Sequence, residues 1–411
     1  MRFLYSFFKK MNNAKEFDKH ILISLIEKLN SCIIIYPESS CIFTKYAKYC
    51  LKNNDIFNRK KIITMMMMTQ SMKNVTHVLD FIFTFLTKEQ INNIDSNKSL
   101  LDIAMENFMM YVSFDCVKSL IRNGANVFLS INNRITPFYK MITYTKLKHI
   151  SDYCIELIDS MKLNPYTKYG NYTLMEFIMR ANIINYDILD KFISMGYDFD
   201  YIFPNGNSLL MNIVEYRINY VDIYVLVKYL VKNKCNIHYK NKNGENILCK
   251  IFNHQFASED VKKTIRFLVK NGIDINACVK SVPLIFKIID KIELYDCLDL
   301  FDIFYEKGIN YNLKFLNITL FFYICNQHLT NKKIYIIKKL LETDCDINQN
   351  YKGMIPFCNI VKNRNQKDLV NILIDRIPWQ DYEYNGKKIY EICLPEYITC
   401  FHKASNKFLK N

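Results

Sequence analysis

Nine short apolar runs begin at nearly equal intervals along this chain. They open at Ser99, Thr136, Thr173, Ser208, Asn246, Val282, Thr319, Ile355 and Lys388, and read SLLD, TPFY, TLME, SLLM, NILC, VPLI, TLFF, IPFC and KIYE. Successive openings are separated by as few as 33 residues (Ile355 to Lys388) and as many as 38 (Ser208 to Asn246). A sustained period of this size restricts a 411-residue chain to an array of similar units, each burying its apolar face against the next. Six of the nine openings are Ser, Thr or Asn, the residues that cap helix N-termini. Pro137, Pro283 and Pro356 follow three of them, at a position where a missing N–H costs little. The spacing therefore predicts a helix at each opening.

About half a period later a second helix is predicted, with apolar residues at i, i+3 and i+4. Examples are Val117, Leu120, Ile121; Val227, Leu230, Val231; Ile265, Leu268, Val269; Ile337, Leu340, Leu341; and Val370, Leu373, Ile374. Arg122, Lys232 and Lys270 follow in the last turn, where a cation suits the helix dipole. The chain has nine glycines, all in two phases of the period. Gly124, Gly196, Gly272 and Gly308 follow the second run, and Gly170, Gly206, Gly244, Gly353 and Gly386 shortly precede the next opening. The first set fits the left-handed residue that ends a helix. Lys162, Lys234 and Asp344 stand at the same stop position. Either those turns carry left-handed strain, or the helix ends differently there. Two residues after each stop comes Asn126, Asn164, Asp198, Asn236, Asp274, Asn310 or Asp346, residues that close turns on their own backbone.

Helix, turn, helix and projecting turn, with SLIRNGANVF…RITPFY, FLVKNGIDINA and LLETDCDINQN, resemble the ankyrin repeat. The resemblance spans roughly residues 95–395 and implies an all-α solenoid of stacked helix-turn-helix units. The period exceeds the family's ~33 residues, so the extra residues are expected in the loop between paired helices. Ile213, Phe252 and Ile288 stand where small residues are usual, Ala104 being an exception, so helix pairs are expected to separate or tilt. The Asn/Lys/Ile-rich style resembles ankyrin-repeat proteins of large DNA viruses, of giant-virus or poxvirus type, and of some AT-rich protists.

The organisation expected is an N-terminal helical cap with one or two degenerate repeats over 1–95, an array of about eight units over 96–393, and a capping helix over 394–411. An amphipathic helix is expected over 17–30, a first helix at IITMMMM (62–68), and degenerate repeat ends at 51–58 and 78–95. A separate small helical domain is the alternative for this segment. Leu394-Pro395-Glu396 is similar to the start of the F-box-like tails of some viral ankyrin proteins, but the short remainder reads as a cap, with Lys403, Lys407 and Lys410 on its polar face.

Motifs for chemistry are scarce. The sequence contains no P-loop, G-x-G-x-x-G, H-E-x-x-H or G-x-S-x-G. Cys235, His238, Cys249 and His254 carry zinc-ligand types, yet the repeat phase puts them in a turn, inside a helix and at its far end, so they are not expected to converge. Cys325 and His328 are expected in the core and in solvent respectively. Fourteen cysteines without framework spacing point to free thiols in a reducing, cytoplasmic setting. Neither a membrane span of about 18 apolar residues nor a signal peptide is read. The net charge of +15, and 12 Lys+Arg against 5 Asp+Glu in residues 1–70, could serve nucleic acid. An AT-rich coding bias explains the same excess.

The resemblance implies a monomeric, non-enzymatic scaffold, with no cofactor and no metal, that binds a protein partner on its concave surface and projecting turns. The residues expected to make contact are Asn132, Asn133, Arg134, Tyr169, Lys240, Asn241, Lys242, Lys280, Lys314, Tyr351 and Lys352. Turn tyrosines, with Tyr201, Tyr239 and Tyr384 added, are favoured because tyrosine is enriched at interfaces. A ubiquitin-ligase adaptor and a basic nucleic-acid binder are the alternatives.

Overall fold

A computed structural model describes residues 46–47, 49–50, 56–70, 75–93, 98–129, 135–169, 172–218, 222–254 and 258–408. The helix expected over 17–30, most of the basic 1–70 segment, and Asn132, Asn133 and Arg134 lie outside them. The chain divides into two compact units, Met1–Tyr197 and Asp198–Asn411. Both are mostly helical. No helix among the described residues is long and apolar enough to cross a membrane.

In the first unit the helices are α1 (Arg59–Met66), α2 (Val75–Thr84), α3 (Lys88–Asn92), α4 (Leu100–Glu106), α5 (Phe114–Arg122), α6 (Pro137–Thr143), α7 (Lys148–Ser160), α8 (Leu174–Arg180) and α9 (Tyr186–Ser194). In the second they are α10 (Leu209–Arg217), α11 (Ile223–Lys232), α12 (Ile247–Phe252), α13 (Glu259–Lys270), α14 (Leu284–Tyr295), α15 (Leu298–Glu306), α16 (Leu320–Cys325), α17 (Asn331–Leu340), α18 (Pro356–Ile360), α19 (Lys367–Ile374), α20 (Ile389–Ile392) and α21 (Ile398–Phe408). First helices of successive pairs touch one another, as α4 touches α6 and α10 touches α12. Second helices do likewise: α7 with α9, α11 with α13, and α13 with α15. Each unit is thus built of two helical rows.

The first row is apolar nearly all round. In α10, Leu209, Leu210, Met211, Ile213 and Val214 are all buried, as a helix enclosed by neighbours requires. The bulky Ile213, Phe252 and Ile288 are buried too. The second row carries one stripe, such as Ile265, Leu268 and Val269, and meets water on its other face.

Eight of the nine openings are N-caps. The side chains of Ser99, Thr136, Thr173, Ser208, Asn246 and Thr319 each accept the backbone N–H three residues on, at 3.1–3.4 Å. Val282 is the exception. There the cap is Pro283, because Cys278 pairs with Pro283 in a hairpin and the helix begins only after that pairing ends. In the pairs that open at the nine runs, the connections range from residues 107–113, the longest, to 296–297, the shortest. In the latter pair it is α14, the first helix, that is extended.

The helix stops share one geometry. The N–H of Ala125, Leu163, Tyr197, Cys235, Ile273 and Ile309 each returns to a carbonyl five residues back, at 3.0–3.3 Å. That bond needs a left-handed residue before it. Gly124, Gly196, Gly272 and Gly308 supply it, and so do Lys162 (φ 48°) and Lys234 (φ 66°). Asp344 does not. The Thr343 hydroxyl and the Cys345 thiol instead donate to the Leu340 carbonyl, at 2.7 and 3.1 Å, and the helix ends without a left-handed residue. A lysine at positive φ costs about 1–2 kcal/mol, part of which glycine recovers against its larger unfolded-state entropy. Lys234→Gly is therefore expected to stabilise the chain by about 0.5 kcal/mol, read as a rise in urea midpoint. A fall would show that the lysine makes a compensating contact.

Candidate partner-binding edge

Between each second helix and the next first helix the chain projects a finger. At its root, Asn126, Asn164, Asp198, Asn236, Asp274, Asn310 and Asp346 each accept the N–H two residues on, at 2.8–3.1 Å. All seven positions expected to form such turns do so. Four fingers end in antiparallel pairs of two-residue strands: β1 (Lys168–Tyr169) with β2 (Tyr172–Thr173), β3 (Cys278–Val279) with β4 (Val282–Pro283), β5 (Lys314–Phe315) with β6 (Ile318–Thr319), and β7 (Glu383–Tyr384) with β8 (Lys387–Lys388). These strands add to the all-α expectation.

Two-residue tips need positive φ at both positions. Lys280–Ser281, Leu316–Asn317 and Asn385–Gly386 adopt it, as do Lys352–Gly353 in the finger closed by the Tyr351–Met354 bridge. Only Asn385-Gly386 carries the sequence signal for such a turn.

Neighbouring fingers are bonded to one another. In the first unit the Asn92 side chain accepts the Asn126 N–H at 2.7 Å. In the second, Asn276 accepts from Asn310 at 2.9 Å and Asn312 from Asp346 at 2.8 Å. Asp200 accepts the Asn236 N–H in the same way. Gln349 grips the tip beside it, accepting from the Thr319 N–H and donating to the Asn317 carbonyl, both at 2.6 Å.

The residues expected to bind a partner fall into two groups. Lys240 pairs with Asp274 at 2.7 Å. Asn241 donates to Asn207 and Glu245 and accepts two backbone N–H groups of its own turn. Tyr169 is half-buried and stacks on Phe128 with centroids 3.8 Å apart. Tyr351 lies edge-on to Phe322, Tyr239 donates to the Gly206 carbonyl at 2.8 Å, and Tyr384 sits under Lys362. Tyr201 packs edge-on against Phe203. The half-buried finger tyrosines thus hold fingers and helices together.

Lys242, Lys280, Lys314 and Lys352 form the other group. They are exposed and make no ion pair among the described residues. Leu316, which the sequence reading passed over, is 71% exposed at a finger tip. No glycine marks the Leu316-Asn317 turn, and its two-residue strands are too short to signal it by alternation.

Elsewhere the chemistry is structural. The Cys235 thiol donates to the Phe199 carbonyl and the Cys249 thiol to the Cys278 carbonyl. His238 is exposed. No group of three or more His, Cys, Asp or Glu among the described residues is placed to hold a metal. Cys325 is buried and His328 exposed. Burial pushes the Cys116 and Cys154 thiols up to about 12 and the Cys249, Cys297 and Cys345 thiols to about 11, so they carry almost no thiolate at neutral pH.

A cleft of about 480 Å³ between α13 and α15 is lined by Glu259, Lys262, Arg266, Asp296, Leu298, Asp299 and Asp302. Its charges are already engaged. Arg266 bonds both Glu259 and Asp299, Lys262 donates to the Asp296 carbonyl, and Asp302 accepts from Tyr335. The Arg266 hydrogen bond holds the Glu259 carboxyl below its usual range.

No protein-family model matches this chain. No curated protein matches it either. The fingers and their bonds therefore carry the functional argument alone.

At the C-terminal end Leu394 donates to the Val361 carbonyl at 3.0 Å. The buried Tyr397 hydroxyl accepts the Gln366 N–H at 2.8 Å and donates to the Asn363 carbonyl. Helix α21 packs on α19. The Leu-Pro-Glu segment is thus occupied with the preceding helix pair.

Proposed function

We propose that this chain is a non-enzymatic protein-interaction scaffold of the ankyrin-repeat type, contacting a protein partner through its fingers. The observation that carries this reading is the division of labour within each finger. Root Asx turns and finger-to-finger bonds fix the backbone, while the tip residues Lys280, Leu316 and Lys352 are exposed and the two lysines make no ion pair among the described residues. A rigid scaffold with variable exposed tips is the usual arrangement for recognition on loops. Capture of partners from the natural host cell by the full chain supplies the ligand for the test. The combined variant Ser281→Ala, Leu316→Ala, Met354→Ala, which spares every lysine, is expected to weaken the captured partner at least about 10-fold, roughly 1.4 kcal/mol, with the helical circular dichroism unchanged. Undiminished binding would remove the fingers from the interface.

A further inference from the structure

We propose that the fingers of the second unit form a cationic ladder that docks an extended acidic segment of a protein partner; this rests on the scaffold reading above and names the partner's chemistry. Lys242, Lys280, Lys314 and Lys352 occupy four consecutive fingers and are all exposed; Lys280 and Lys352 are tip residues, Lys314 lies in β5 and Lys242 in a turn. None has a carboxylate within ion-pair distance among the described residues. Two of the acids that share these fingers are already paired. Glu245 is paired with Lys250 at 3.0 Å. Burial alone would raise its carboxyl, but the bonds from Asn241 and Lys250 outweigh that and hold it below the usual range. Asp274 is paired with Lys240. Asp344 and Asp346 lie at a finger root, in the turn after α17. Four exposed lysines without an ion pair among the described residues thus stand on consecutive fingers.

The ladder is held side by side. The Lys240–Asp274 pair, the Asn276–Asn310 and Asn312–Asp346 bonds and the Gln349 grip join all four fingers in sequence. Leu316, 71% exposed at the tip of the same finger as Lys314, adds an apolar side chain to this edge.

Spacing favours an extended acidic peptide over nucleic acid. Packed helices lie ~8–10 Å apart, which sets the interval between fingers. An extended chain rises ~3.3 Å per residue, so an acid at every third residue meets each lysine in turn. A DNA strand carries a phosphate every ~3.4 Å of axis, so the same ladder meets about one in three. Single-strand binders also expose aromatic platforms, whereas Phe315, Tyr351 and Tyr384 are half-buried.

The test is fluorescence anisotropy of the full chain with a labelled synthetic peptide of about 15 residues, extended and with Glu at every third position. Binding with Kd below about 100 μM, weakening with salt, is expected. The combined variant Lys280→Glu, Lys314→Glu, Lys352→Glu should lose at least about 10-fold with unchanged circular dichroism. Absence of peptide binding, equal binding by the reversed variant, or a single-stranded oligonucleotide bound more tightly than the peptide would each overturn the proposal. If the captured partner is lost on the lysine-sparing finger variant but kept by the charge-reversed one, the acidic-segment assignment fails alone and the scaffold reading stands.

Discussion

Replacing Asp222 by alanine is expected to destabilise the α10–α11 pair by about 3–5 kcal/mol. Arg217, the last residue of α10, is fully buried. Its guanidinium grips the Asp222 carboxylate through Nη2 at 2.7 and 2.8 Å and Nε at 3.3 Å. Asp222 stands at the N-cap of α11 but makes no cap bond, because its side chain is committed to Arg217. Removing the carboxylate takes a counter-charge away from a fully buried cation, which costs more than the pair itself contributes. The double variant Arg217→Met, Asp222→Ala should lose less, since no charge then remains in the interior. Hydrogen exchange of the α10 and α11 amides reads both variants, and suits an array whose units can open separately. An Asp222→Ala variant within 0.5 kcal/mol of wild type, roughly the scatter of neutral surface changes, would contradict this view of Arg217.

Phe401→Ala is expected to cost about 3–5 kcal/mol and to loosen the last helix pairs first. Phe401 is 3% exposed. It packs edge-on against Trp379 at 4.9 Å and at a tilt against Phe357 at 6.0 Å, so one ring joins α21 to both a finger and a first helix. Tyr397→Phe removes a hydroxyl that satisfies both a backbone donor and a backbone acceptor, and should cost about 1–3 kcal/mol. Limited proteolysis of the C-terminal segment, together with the urea midpoint, distinguishes local loosening from global loss. If α21 came away with no change in midpoint, the tail would be an appendage and not a cap.

Much of this architecture was legible because local chemistry repeats in phase. Ser, Thr and Asn openings predicted six side-chain caps, and Asn or Asp two residues after each stop predicted the seven root turns. The stop residues were only partly legible. Lys162 and Lys234 accept left-handed strain because the returning N–H bond fixes the backbone around them. At Asp344 a threonine hydroxyl and a cysteine thiol substitute for that bond, and side-chain donors of this kind leave no periodic trace. Val282 was misplaced by one residue because strand pairing, not capping preference, decides where that helix begins. The hairpin strands escaped notice because two residues are too few for alternation to register, and tips such as Lys280-Ser281 lack the usual glycine.

The candidate edge was less legible than the fold. Lys240, Asn241 and the finger tyrosines have the composition of contact residues, but Lys240, Asn241, Tyr169, Tyr239 and Tyr351 bind a neighbouring finger or helix, and Tyr201 packs on Phe203 of its own finger. Which residues of a finger face its neighbour and which face outward depends on register between units, a relation no single unit encodes. Leu316 shows the converse: an apolar residue in an apolar stretch reads as core until the hairpin places it at the tip.

Hydrogen–deuterium exchange of the full chain with and without its captured partner tests the central claim most directly. The expected footprint covers residues 278–283, 314–319 and 351–354, with the second helices α13, α15 and α17 unchanged. Protection confined to those helices, with the fingers exchanging as in the unbound chain, would contradict it.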